Sequence, residues 1–174
     1  TPPSLPDDDT SAIMQEEIEK VLESHGYQHY ETSAFAQPGQ QCVHNLNYWT
    51  FGDYLGIGAG AHSKLSFHDK MIRQSRHKHP KRYLEAAPQG QAVDQEWQIG
   101  RDDLAFEFMM NALRLVDGVE AGVFQQRTGL PLRSIQATVE AAQAQGLLVP
   151  GSSVIAPTLK GQRFLNTLLE MFLP

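Results

Sequence analysis

The run Cys42-Val43-His44-Asn45-Leu46-Asn47-Tyr48-Trp49, followed shortly by Tyr54-Leu55-Gly56-Ile57-Gly58-Ala59-Gly60-Ala61-His62, gathers residue types suited to holding a flat cofactor. The His44 imidazole can ligate iron, and Tyr48 and Trp49 offer ring faces. Glycines, lacking a Cβ, let the main chain come close to a ligand. Each feature also has a purely structural reading: His44 as a hydrogen-bonded core histidine, and the three glycines as relief for crowding between close strands. Cys42, the only cysteine, reads as a small half-buried residue. One cysteine excludes an intramolecular disulfide and is too few for a cysteine-held iron–sulfur cluster or structural zinc.

Gly56-x-Gly58-x-Gly60 is not a dinucleotide fingerprint, which needs a following helix and an acid roughly 20 residues on. Polar and basic residues follow instead, and the nearest acids, Asp69 and Glu85, are misplaced. The glycines are expected to end a barrel strand where backbone passes a cofactor.

Beyond them lie Lys64, Lys70, Arg73, Arg76, Lys78, Lys81 and Arg82, half of the chain's 14 cations, with Asp69 the single acid among them. With His68, His77 and His79 this basic segment could hold an acidic ligand carrying carboxylates or phosphates, or be a solvated loop. His77-Lys78-His79 resembles a metal pair, but neighbouring cations repel a divalent ion and no carboxylate is near in sequence. Adventitious metal binding is the expectation there.

The elements that must position these groups begin after Thr1-Pro2-Pro3-Ser4-Leu5-Pro6, whose prolines favour an extended path. Asp7, Asp8 and Asp9 suit a helix N-terminus, Met14, Ile18, Val21 and Leu22 fall on one face, and Gly26 stops it. Tyr27 to Ala36 reads as one strand, with Tyr27, His29, Glu31, Ser33 and Phe35 on one side. Pro38-Gly39 breaks it, and Tyr54 to Ala59 is expected to be a second, buried strand. Pro88 to Gly100 reads as a linker.

After that linker, Asp102 and Asp103 open a helix with Leu104, Phe108, Met109, Ala112, Leu115 and Val116 inward, ending at Asp117-Gly118. A short helix is expected over 121–128 before Gly129. Another runs from Pro131 to Gly146, with Leu132, Ile135, Val139 and Ala142 recurring at three and four residues. Leu147-Leu148-Val149 and Val154-Ile155-Ala156 flank Pro150-Gly151-Ser152 as a hairpin, and a last helix carries Phe164, Leu168 and Phe172. That is the order of a winged-helix domain. Its charge argues against nucleic acid: residues 101–174 hold six Lys/Arg against seven Asp/Glu, and the recognition-helix position offers only Arg133. Packing on its own neighbour or on a protein partner is expected instead.

The 174 residues, 41% hydrophobic with net charge −6, suffice for one medium domain or two small ones and do not attract polyanions as a whole. No apolar stretch approaches the roughly 18 residues of a membrane span and no signal peptide is visible. A soluble, cytoplasmic protein is expected, with at most peripheral membrane association.

Three blocks occurring in order, Tyr30-Glu31-Thr32-Ser33-Ala34-Phe35-Ala36-Gln37-Pro38-Gly39, then His44-Asn45-Leu46-Asn47-Tyr48-Trp49, then Tyr54 to His62, resemble the oxygen-independent coproporphyrinogen III oxidase family. Within it the likeness is to the radical-SAM heme-chaperone branch, whose His-Asn-x-x-Tyr-Trp pattern matches His44, Asn45, Tyr48 and Trp49. The resemblance spans essentially the whole chain. It implies an α+β fold: the C-terminal remnant of a radical-SAM partial (β/α) barrel over 1–100, then a mostly helical winged-helix-like domain over 101–174. The family's Cys-x-x-x-Cys-x-x-Cys triad, which binds a 4Fe-4S cluster holding S-adenosylmethionine, is absent here. The resemblance therefore implies a C-terminal portion that is inactive in radical chemistry alone. Carried over position by position, it makes His44 the candidate heme iron ligand, with Asn45 orienting the imidazole and Tyr48 and Trp49 beside it. Gly60, Ala61 and His62 become the strand end near S-adenosylmethionine.

Three functions compete at this point. One is a chaperone that binds heme or porphyrin and delivers heme to acceptor proteins; another is an oxidase that decarboxylates coproporphyrinogen. The third is a winged-helix nucleic-acid module. The first is favoured, because the residues present show no arrangement that sets propionates beside a radical source. A barrel flank without its earlier strands is expected to expose an apolar edge that favours dimerisation.

Overall fold

The computed structural model describes residues 5–151 and 153–174. Residues 1–4 of the proline-rich opening and Ser152 of the expected hairpin turn lie outside them. Helix α1, Asp8–Ser24, starts where its acids predict: Asp7 is the N-cap and accepts the Thr10 amide at 2.7 Å, with Asp8 and Asp9 in the first turn. Its apolar stripe forms at the expected spacing, yet Met14, Ile18 and Val21 each remain about half exposed.

The expected strand over 27–36 is instead a hairpin of β1, Gln28–Glu31, and β2, Ala34–Ala36. Long-range backbone bonds hold β1: Thr32 N–H donates to Arg114 O and Val116 N–H to Tyr30 O. These turn the chain at Thr32 and Ser33, which alternation of side chains does not encode. The His44 segment forms α2, Val43–Trp49.

The expected strand over 54–59 does not form; a single bridge joins Tyr54 to Lys64, and Leu55 and Ile57 are exposed. The basic segment is not a loop. It folds into β3, His62–Ser66, and β4, Met71–Arg76, followed by α3, Pro80–Ala86, and a 3-10 turn, Ala87–Gln89. The expected linker contains β5, Val93–Gln98, and the three strands make an antiparallel sheet in the order β3-β4-β5. Lys, Arg and Gln in these strands hide the pattern, because one sheet face stays wet. The chain is α+β, and no barrel closes among the described residues.

The C-terminal elements follow the winged-helix order. They are α4, Leu104–Ala112; β6, Val119–Glu120; α5, Ala121–Thr128; α6, Arg133–Ala144; β7, Val154–Ile155; α7, Leu159–Arg163; and α8, Leu165–Glu170. The first of these helices ends before Leu115, and the last expected helix is broken at Phe164, which is exposed while Leu168 and Phe172 are buried. The expected hairpin is only partly realised: Val149 N–H reaches Ala156 O at 3.0 Å, but β7 pairs with β6 rather than with Leu147–Val149. Gly118 permits that pairing. Its φ is +67°, and a Cβ there would lie 2.1 Å from Ile155 O. Gly118→Ala is expected to cost at least about 2 kcal/mol, from left-handed backbone plus displacement of β7. Urea denaturation checks it, and an unchanged midpoint would contradict this account.

Among the described residues a hydrophobic core runs from Ile99 to Phe172 and takes in buried Phe51 from far upstream, with Leu46, Trp49 and Met71 packed against it. Phe51 is 1% exposed and holds a non-glycine φ of 58°. Its ring meets Phe108 edge-on at 5.6 Å, and Phe108 meets Phe124 at 5.2 Å. The loop after α2 is thereby anchored in the C-terminal core.

Candidate functional site

Helix α2 positions the motif residues by helical periodicity. His44 and Tyr48, four apart, stack on one face with ring centroids 4.6 Å apart and planes 84° apart. Tyr48 in turn meets Tyr54 at 4.3 Å. The His44 side chain is exposed and makes no hydrogen bond among the described residues, so a ring nitrogen is free to accept a metal. The expected orienting bond from Asn45 is not formed. Asn47 performs the local work instead: its Nδ2 donates to Asp53 O at 2.9 Å and its carbonyl accepts the Gly52 amide at 2.7 Å.

Trp49 points the other way. Its ring lies under the Arg114 guanidinium, 4.3 Å from the centroid, and Arg114 also reaches Glu31 at 3.4 Å. Thus Tyr48 faces the exposed histidine while Trp49 ties α2 to the turn after α4 and to the β1–β2 hairpin.

Gly60, Ala61 and His62 lie where the chain enters β3. Gly60 N–H donates to His77 O at 3.0 Å, Ala61 N–H to Gly58 O at 3.2 Å, and Arg76 N–H to Ala61 O at 2.8 Å. His62 pairs with Ser75 and keeps an exposed side chain. The backbone donors at Gly60 and Ala61 are thus engaged, which leaves the His62 imidazole available to a ligand. Gly56 serves close packing: a Cβ there would fall 2.0 Å from His62 O. The two candidate groups sit on adjoining elements, since Tyr54 contacts Tyr48 and pairs with Lys64, but no hydrogen bond or ring contact joins His44 to His62 among the described residues.

The basic segment is dispersed by the fold. Arg73 pairs with Glu107 and donates to Tyr54 Oη, Arg76 Nε donates to Gly56 O, and His77 Nδ1 meets Asp94 at 2.8 Å. His77 and His79 belong to no group of three metal-ligating side chains among the described residues.

Lys64, which the sequence shows only as one member of the basic segment, is set apart by the fold. It is 2% exposed, and its Nζ donates to Phe51 O at 3.0 Å, Asp53 Oδ1 at 3.1 Å and Ser66 Oγ at 3.1 Å, 4.0 Å above the Phe51 ring. Burial pushes this ammonium below the usual lysine value, more than the Asp53 carboxylate raises it. Partial burial pushes Asp53 up, but bonds from the Ser66 hydroxyl, the Ser66 N–H and Lys64 together hold it below the usual carboxylate value. No sequence signal marks Lys64, because its bonding groups come from a loop folded onto the strand. Asn47 was equally hidden; helical spacing shows its face, not its partners.

Residues 99–164 match the family model HemN C-terminal domain. Over 173 residues, 99% of the chain, it is 43% identical to heme chaperone HemW of Escherichia coli K12 and 44% identical to that of Haemophilus influenzae. Its residues 99–164 belong to the HemN C-terminal domain family. The chain spans about 45% of the E. coli relative and 44% of the H. influenzae one. A mitochondrial radical S-adenosyl methionine domain-containing protein 1 of Dictyostelium discoideum is 30% identical across 97% of the chain and 43% of its own length. Among solved structures, the radical SAM enzyme coproporphyrinogen III oxidase, HemN, of E. coli superposes with a TM-score of 0.67 at 21% identity, over 97% of the chain and 42% of that protein. That likeness shows a shared fold. The family match covers the winged-helix-like elements from α4 to α7, so this region is a HemN C-terminal domain. The residues present do not fit an iron–sulfur cluster, because Cys42 is the single cysteine. No helix among the described residues is long and apolar enough to cross a membrane.

Proposed function

We propose that this chain is the heme-carrying part of a radical-SAM heme chaperone, with His44 as the axial ligand to the iron of the cargo. What supports this reading is one feature: in a chain similar to HemW proteins over nearly its whole length, His44 is exposed, unbonded and braced by the Tyr48 edge. A heme ligand needs a free nitrogen and a fixed ring orientation, and the T-shaped contact provides the second without occupying the first. Val43, 80% exposed beside it, offers aliphatic surface to a porphyrin face. Asn45 lies on the same helix and would be an amide available to the ligand, and Trp49 holds the helix in place.

Heme-acceptor proteins would be the partners, and cytoplasm the site of action. The 4Fe-4S cluster and S-adenosylmethionine would be held by residues outside this chain, with Gly60, Ala61 and His62 supplying one side of the S-adenosylmethionine site through the His62 side chain. The 1–100 and 101–174 segments would act as one unit, because Phe51 and Trp49 tie α2 to the C-terminal domain.

Titrating heme into full-length protein tests the ligand. His44→Ala is expected to abolish the Soret shift and weaken binding at least about tenfold, with near-UV circular dichroism unchanged because His44 is on the surface. An unaltered Soret shift and affinity would reject His44 as ligand. The likeness to HemN keeps an oxidase in view, and incubation with reductant, S-adenosylmethionine and coproporphyrinogen III separates the two: formation of protoporphyrinogen would replace the chaperone reading.

A further inference from the structure

A cleft on this acidic chain gathers three cations that lack ion-pair partners among the described residues. It has a volume of about 550 Å³ and lies between the β3–β4 turn, the β5–α4 turn and the C-terminal end of α5. Lys70, Arg101 and Arg127 line it, each from a different one of these elements, together with His68. Each of the three cations is exposed, and none makes an ion pair or side-chain hydrogen bond among the described residues; Lys70 Nζ merely stands 5.8 Å from the Phe67 ring centroid. Asp69 is the single carboxylate in the lining.

Two cations of the neighbouring strands are treated differently. Lys64 is neutralised by Asp53 and Arg73 by Glu107. Three unpaired cations on one concave surface, in a molecule of net charge −6, form a local positive patch that favours an anion. Gln98 and Gln126, also in the lining, add neutral amide donors.

We propose that the cleft bounded by Lys70, Arg101 and Arg127 binds a small multivalent oxyanion, a ligand carrying phosphate or carboxylate groups. The two guanidinium forks match either group in bidentate fashion, and Lys70 contributes a movable point charge from the hairpin tip. The volume suits a small metabolite rather than a macromolecule. The proposal does not depend on the heme reading, since the cleft shares no residue with His44, Tyr48 or His62.

Isothermal titration calorimetry of full-length protein with pyrophosphate, and separately with citrate, tests it at low ionic strength. Saturable one-to-one binding of at least one probe is expected, weakened at least about tenfold in R101Q/R127Q, less in K70Q, and unchanged in K81Q/R82Q. Preference for pyrophosphate assigns a phosphate ligand, and preference for citrate a carboxylate one. All the substituted side chains are exposed, and circular dichroism confirms that the variants are folded. The proposal is overturned if neither probe saturates, if R101Q/R127Q binds as tightly as wild type, or if K81Q/R82Q loses binding equally.

Discussion

Lys64→Ala is expected to lower the stability of the protein by about 3 kcal/mol. The substitution removes three hydrogen bonds from a charged donor and leaves the Phe51 carbonyl without its partner. It also empties the space of a side chain that is 2% exposed. Against a typical total of about 5–15 kcal/mol, that loss is large. Lys64→Met keeps the aliphatic stem and sheds the cost of burying a charge, so it is expected to recover part of the difference.

The pH dependence of that loss has a definite sign. Asp53 titrates lower in the fold than in the unfolded chain, so its contribution is present above about 3.8 and is lost as pH falls through the folded value. Lys64 also titrates lower in the fold. Its charged form is therefore penalised at neutral pH, and the penalty is relieved as pH rises from the folded value toward 10.5. Both effects act in one direction: the gap between wild type and Lys64→Ala should narrow in acid and widen in alkali. Urea midpoints measured for both proteins across pH check it. A gap that stayed constant would mean that neither ionisation is linked to folding.

Phe108→Ala is expected to cost about 3–5 kcal/mol, the range for deleting a large core aromatic. Phe108 is fully buried between Phe51 and Phe124, so truncation leaves a cavity bounded by two edge-on rings. The consequence reaches beyond stability. Phe51 is the residue through which the loop after α2 is anchored, and loosening it frees the helix that carries His44. Heme titration of Phe108→Leu, which fills more of the space, is expected to show wild-type Soret position with modestly weaker binding. A loss below about 1 kcal/mol in Phe108→Ala would show that the core collapses around the gap.

Much of the helical structure was legible because its signals are local. The acids before α1, the left-handed glycine after α5 at Gly129, and the three-and-four spacing of Ile135 and Ala142 depend on neighbours within one or two turns. The sheet was not. In β3, β4 and β5 the polar residues Lys64, Arg73, Gln74 and Glu96 obscure alternation, and β4 pairs with β5 across an intervening helix, as in Arg73 with Trp97. The same reason hid the hairpin turn at Thr32, which is set by Arg114 some 80 residues away.

For the candidate site the division follows the same line. The motif order from Tyr30 to His62 carried the family resemblance and singled out the histidine. Whether that histidine was buried or free depended on which face of α2 the core takes up, and Phe51, Trp49 and Arg114 decide it by drawing the opposite side inward. The charge run from 64 to 82 was visible as composition. Its meaning belonged to the tertiary structure alone, because a cation buried beside Asp53, one paired with Glu107 and one left open beside Arg101 and Arg127 are identical in sequence and differ only in what folding brings next to them.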